Sequence, residues 1–116
     1  MLAADYRGPH RVRASSKPEP VIRHPRDAIV RVTRSCVCGS DLHLYHGLVP
    51  DTRVGMTFGH EFCGIVEEVG SAVTSVKPGQ FVIGSFFASD NTCPNCHIGY
   101  QSSCRHREFV GGAQAP

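Results

Sequence analysis

The chain has 116 residues, 41% of them apolar and 19% charged, with a formal net charge of +2. That length predicts one domain spanning 1–116, able to bury about 65% of its unfolded surface. No apolar run approaches the roughly 18 residues that a membrane-spanning helix needs, and the polar start, with Asp5 and Pro9, lacks the apolar stretch of a signal peptide. These features predict a cytoplasmic protein, where thiols stay reduced and clustered cysteines more often bind metal than pair.

In chain order, Val12 and Arg13 sit in a first extended segment that ends at Lys17-Pro18-Glu19-Pro20. Eight basic residues, from Arg7 to Arg34, crowd this first part of the chain. They read as the solvent face of strands. No aromatic interleaving or helix-turn-helix pattern supports a nucleic-acid partner. Residues 28–34 alternate, with Val30 and Val32 on one face of a half-buried strand. Residues 62–70 form a longer strand. Val76-Lys77-Pro78-Gly79 is a turn, because proline presets one backbone angle and glycine permits the next. Residues 80–87 make a further strand, residues 88–108 are polar, cysteine-rich and loop-like, and Phe109-Val110 begins a last strand that Gly111-Gly112 cuts short. With no repeat and no long amphipathic helix, the expected fold is a small, mainly antiparallel β-domain, a barrel or a sandwich.

Two residue clusters carry chemistry. Cys38-Gly39-Ser40-Asp41-Leu42-His43 precedes Gly59-His60-Glu61. A cysteine and a histidine suit zinc, and Ser40 and His43 are placed to move a proton. Cys93-x2-Cys96-x7-Cys104 reads as a separate structural zinc lobe at about 88–108. It has little core of its own, so a metal would be what orders it. A zinc-ribbon nucleic-acid module is the rival reading, but that needs a second knuckle about 15–20 residues on. Alone, Cys38 reads as a small buried apolar residue and His60 as a core histidine. Together, inside glycine-bounded motifs, they read as metal ligands. Cys36 and Cys63 read as core thiols, and His10, His24 and His46 as surface or turn residues.

Cys38-Gly39-Ser40-Asp41-Leu42-His43, then Gly59-His60-Glu61-x2-Gly64-x5-Gly70-x2-Val73, resembles the catalytic half of the zinc-dependent medium-chain alcohol dehydrogenases. Val76-Lys77-Pro78-Gly79 fits as well, although Gln80 stands where an aspartate is usual. The resemblance covers nearly the whole chain and implies a GroES-like β-barrel with a zinc-binding lobe. In the family a Rossmann domain binding NAD or NADP follows, and no G-x-G-x-x-G occurs here. The chain therefore resembles the N-terminal piece of a larger oxidoreductase acting on an alcohol or aldehyde, and one expected to be inactive without that half. The family is commonly dimeric or tetrameric, so a homo-oligomer is among the implied partners.

The resemblance also implies roles. Cys38 and His60 would hold a catalytic zinc whose open position binds the alkoxide and lowers its pKa. Ser40 would accept the substrate proton and His43 would pass it to water. Asp41 would orient His60. The family's third ligand lies beyond residue 116, and Glu61 is a candidate to close the site as a carboxylate ligand. In the lobe the family uses four cysteines spaced C-x2-C-x2-C-x7-C. Matching Cys93, Cys96 and Cys104 to the last three leaves Asp90 at the first position. A carboxylate oxygen is a competent zinc ligand, with His97, His106 or a metal-free lobe as alternatives. Against the dehydrogenase stand a free-standing zinc-stabilised β-module with a binding or assembly role, and a family member with other reductase or lyase-like chemistry. Leu42, Leu48 and Phe62 hint at apolar substrate walls.

Overall fold

The computed structural model describes residues 1–110, so Gly111-Gly112 and the end expected of the last strand lie outside the described residues. Among the described residues seven strands build three antiparallel sheets: β1 (Leu2–Tyr6) with β2 (Val12–Ser16); β3 (Ala28–Cys36), β4 (Glu61–Val69) and β5 (Phe81–Gly84) in that order; and β6 (Phe87–Ala88) with β7 (Glu108–Phe109). Two short helices, α1 (Gly39–Tyr45) and α2 (Pro94–His97), and a 3-10 turn over Gln101–Ser103 interrupt them. Among the described residues no helix is long and apolar enough to cross a membrane.

β1 and β2 pair in regular register from Leu2↔Ser16 to Tyr6↔Val12. The segment before His60 runs beside β1. Tyr6 N–H donates to Met56 O, Gly55 N–H to Tyr6 O and Phe58 N–H to Ala4 O, all at 2.8–2.9 Å. Between these layers Tyr6, Leu44 and Met56 form the main apolar core, with Val49 and Phe58 packed against it. Burying side chains of this size is worth about 1.5–3 kcal/mol each. Leu44 is what ties α1 to that core. At its edge Asp5 is buried. The Ser15 hydroxyl donates to its carboxylate, and Lys17 Nζ stands 3.3 Å from Oδ1 while donating to Gly55 O at 2.6 Å. The Ser15 hydrogen bond first, then the Lys17 and Arg7 cations, hold the Asp5 carboxyl below its ordinary range despite burial.

The central sheet departs from simple alternation. The β3–β4 register shifts between Ile29 and Val30 and again between Val32 and Arg34. Each shift inserts a residue and re-aims the side chains beyond it. Val30 is half-buried opposite Val66, but Val32, expected on the same covered face, is 51% exposed. Its partner across the ladder is Gly64, which offers no side chain to cover it. Glycine is required there, since a Cβ would fall 2.3 Å from Arg31 O. The strand expected over 80–87 is two, β5 and β6, broken at Ser85-Phe86. On β5, an edge strand, Phe81 and Ile83 are 61% and 81% exposed. β1 was not foreseen, because its residues carry no alternation beyond Ala3-Ala4.

Candidate metal and proton-transfer centres

The Cys38–His43 motif forms the start of α1, with Cys38 as its N-cap. Helix entry is fixed by Asp41. Its Oδ2 accepts the Cys38 backbone N–H at 3.0 Å and its Oδ1 accepts the Gly59 N–H at 3.3 Å. Satisfying one orphan amide at the helix start, the same buried carboxylate grips the segment that delivers His60. Gly59, at φ +94°, turns the chain from its place beside β1 into β4. This conformation suits glycine.

Five predicted residues meet here. Cys38 Sγ lies 3.0 Å from His60 Nε2 and 2.8 Å from Ser40 Oγ, and Ser40 Oγ lies 3.1 Å from the same nitrogen. His60 Nδ1 stands 3.4 Å from Asp41 Oδ1. Cys38, His60 and Glu61 each present a ligand atom within 4.8 Å of the others. The donor types fit zinc. The Cys38–His60 separation is nonetheless shorter than the roughly 3.5 Å edge of a tetrahedron with zinc–sulfur and zinc–nitrogen bonds of ordinary length. The pair is closed on itself by a hydrogen bond and must open slightly to take an ion.

His43 stands apart. It is exposed in the last turn of α1, and among the described residues its side chain makes no hydrogen bond to Ser40. Cys36, expected as a core thiol, is exposed instead. Its thiol donates to Glu61 Oε2 at 3.0 Å, because the second register shift in β3 sets it opposite Glu61. That hydrogen bond first, and then partial desolvation, raise the Cys36 pKa, so the thiol stays a donor. Cys63 is half-buried within β4. The aromatic wall of the centre is Phe86, whose ring edge meets His60 at 6.2 Å and stacks on Phe109 at 6.1 Å. Its place in a break between two short strands carries no sequence signal. Leu42 lines an apolar cleft of roughly 210 Å³ with Val12, Val37, Tyr45 and Phe58. Leu48 is exposed and Phe62 packs over Gly84, and neither lines that cleft.

The second cluster is built locally. Cys93 caps α2, Cys96 lies within it and Cys104 follows the 3-10 turn, and all three are buried and unpaired by disulfide. Sγ of Cys93 is 3.6 Å from that of Cys96 and 4.0 Å from that of Cys104. These separations bracket the roughly 3.8 Å edge of a tetrahedral zinc–thiolate site. Backbone N–H groups of Arg105 and Cys96 pull Cys93 down to about 6, while burial pushes Cys96 up to about 11. Asp90 Oδ1 lies 3.5 Å from Cys104 Sγ, and the Thr92 hydroxyl followed by its backbone N–H hold the Asp90 carboxyl well below the usual carboxylate range. His106 contacts Asp90 at 2.7 Å, and Asp90, Cys104 and His106 form a third donor group within 4.8 Å that is separate from the three-thiol group, so Asp90 must turn towards Cys93 and Cys96 to complete a four-donor set; His97 is exposed in α2 and belongs to none of the three groups.

The family profile described as alcohol dehydrogenase GroES-like domain matches residues 24–116. An uncharacterized zinc-type alcohol dehydrogenase-like protein, AdhB, of Bacillus subtilis is 42% identical over 90% of this chain and 28% of its own length. The solved alcohol dehydrogenase TADH from Thermus sp. ATN1 superposes with a TM-score of 0.90 at 39% identity, covering 100% of this chain and 33% of that one. A putative zinc-binding dehydrogenase from Sinorhizobium meliloti, solved bound to NADP, gives a TM-score of 0.67 at 39% identity, over 95% of this chain and 32% of that one. The chain spans well under half the length of the curated relatives it matches. The fold, the Gly-His-Glu motif and the profile match together show that this chain belongs to the zinc-type medium-chain alcohol dehydrogenase family and carries its GroES-like domain.

Proposed function

We propose that this chain is the catalytic-domain portion of a zinc-dependent, NAD- or NADP-linked oxidoreductase acting on small alcohols or aldehydes. The observation that carries the reading is the convergence of Cys38 Sγ, Ser40 Oγ and His60 Nε2 within 3.1 Å of one another, with the Glu61 carboxylate alongside. Cys38 and His60 would hold the catalytic ion, with Glu61 as a carboxylate ligand. Bound there, zinc supplies Lewis acidity that lowers the pKa of an alcohol hydroxyl. Asp41 keeps His60 aimed through Nδ1, so that Nε2 faces the ligand position. Ser40 takes the hydroxyl proton, and His43, on the same helix and open to solvent, returns it to water. Phe86 closes one side against bulk water.

The cysteine-rich segment would hold a structural zinc through Cys93, Cys96, Cys104 and Asp90. Hydride acceptance falls to a dinucleotide-binding half, for which the bare apolar side chains of β5 offer part of a packing surface. The S. meliloti relative bound to NADP supports that assignment. Two measurements test the reading. The 116-residue chain should bind about two zinc ions and show no saturable binding of NAD or NADP by titration calorimetry. Saturable dinucleotide binding, or absence of a second zinc ion, would overturn it.

A further inference from the structure

The two oxygens of Asp90 have different partners. Oδ1 is the one near the thiols, 3.5 Å from Cys104 Sγ, and it takes the Thr92 backbone N–H at 3.0 Å. Oδ2 is held twice, by Thr92 Oγ1 at 2.6 Å and by His106 Nδ1 at 2.7 Å. His106 also donates its backbone N–H to Cys104 Sγ at 3.3 Å. Arg26 Nη1 reaches the Asp90 backbone oxygen at 2.6 Å and pins the residue from the opposite end of the chain. A single histidine is thus bonded to two members of the set, through its ring and through its backbone.

A lone carboxylate among three thiolates is the weak member of such a site. It rotates freely, and it can bind through either oxygen or both. Groups that grip the non-ligating oxygen remove that freedom, and partners of this kind govern metal affinity nearly as much as the ligands do. The His106 ring is 61% exposed and its Nδ1 is committed to Asp90; its donor lies within 4.8 Å of Asp90 and Cys104 but is not grouped with Cys93 and Cys96, which sets it at the Asp90 side of the lobe rather than inside the thiol cage.

The geometry points to His106 as a positioning residue for the lobe's ion: with Thr92 it ties down Oδ2, so that Asp90 completes the Cys93, Cys96 and Cys104 set through Oδ1 alone. This rests on the reading of Asp90 as fourth ligand.

The test uses the whole chain in a Cys38→Ala background, so that one ion per chain is read. Zinc affinity is measured by competition with a chromophoric chelator, and the ligand set by the absorption spectrum of the cobalt-substituted protein. His106→Ala should weaken zinc binding by about 10- to 100-fold without changing the thiolate-to-cobalt band. His106→Asn places an amide N–H where Nδ1 stands and should recover most of the loss. Thr92→Val should weaken binding in the same direction. Unchanged zinc affinity in His106→Ala, beside a clear loss in Asp90→Ala, overturns the inference and leaves Asp90 as a ligand. So does a changed cobalt ligand-field spectrum in both His106 variants, which would make His106 itself a ligand. Asp90→Ala with unaltered affinity and spectrum removes the fourth-ligand reading and the inference with it.

Discussion

The two candidate metal clusters of this chain present the same coordination problem from opposite directions. Cys93, Cys96 and Cys104 are close in sequence and buried, with sulfurs already at tetrahedral spacing. Cys38, His60 and Glu61 are gathered from a helix start and a strand start, are half-buried to exposed, and have a cysteine and histidine hydrogen bonded to each other. A closed, pre-shaped set with its thiols out of water is what a structural ion needs. An open set with an exposed carboxylate and a hydroxyl alongside is what a reacting ligand needs. Burial and spacing, more than the identity of the donors, separate the two roles.

Metal content breaks or confirms that contrast most directly. Cys93→Ser/Cys96→Ser should abolish the more tightly held zinc and unfold residues 88–108, since that segment has little other core. Cys38→Ala should remove only the weaker ion and leave the lobe protected. Metal analysis after graded chelator treatment, with hydrogen exchange, checks both. If the double variant keeps both ions, the assignment of the lobe is wrong.

The next largest effect separates metal holding from proton transfer. In a form of the protein that carries a dinucleotide-binding half, Ser40→Ala should lower kcat by about 10²–10⁴ at unchanged zinc content, the usual worth of a positioned acid–base group. His43→Gln should do less, because His43 is solvent-exposed and water can stand in for it. It should also flatten the rise of rate between about pH 6 and 8, where imidazole titrates. Loss of zinc in Ser40→Ala, or full rate, would remove Ser40 from the relay.

The smallest effect concerns the metal-free lobe. Cys93 is depressed from about 9 to about 6, so in this range the unfolded chain binds the proton that the folded chain has released. Its contribution to stability is therefore complete above about pH 9, declines as pH falls and is gone below about 6. Cys96, held up to about 11, stays protonated in both states between pH 6 and 8 and adds no slope there. Hydrogen exchange of residues 88–108 in excess chelator should show protection rising from pH 6 to 8 after correction for the intrinsic rate. Cys93→Ser should make the corrected profile flat.

Much of the fold was legible where local chemistry decides it. β3 announces itself by the Val30/Val32 alternation, β4 by its apolar run around Ile65-Val66, and Lys77-Pro78-Gly79 by its turn residues. The ligand candidates were legible for a similar reason: metal donors come from a short list of residue types, and Cys93-x2-Cys96 lies within one turn of chain. The helical start at Cys38 was not, because a seven-residue helix burying only Asp41 and Leu44 has too few apolar positions to show a period.

By itself the sequence determined which residues offer donors, that they fall into two groups, and which family's pattern they match. Only the tertiary structure decided how they are used. Two compensating register shifts, one leaving Glu67 of β4 unpaired and one leaving Thr33 of β3 unpaired, are invisible to a period of two; between them Val32 falls opposite Gly64, and beyond them Cys36 falls opposite Glu61. The return of residues 55–58 beside β1 carries His60 to Cys38, and one buried carboxylate, Asp41, locks both. The pairing of Asp90 with His106 closes over the lobe from 16 residues away. Each is a contact between distant parts of the chain, set by burial and backbone hydrogen bonding rather than by any local preference.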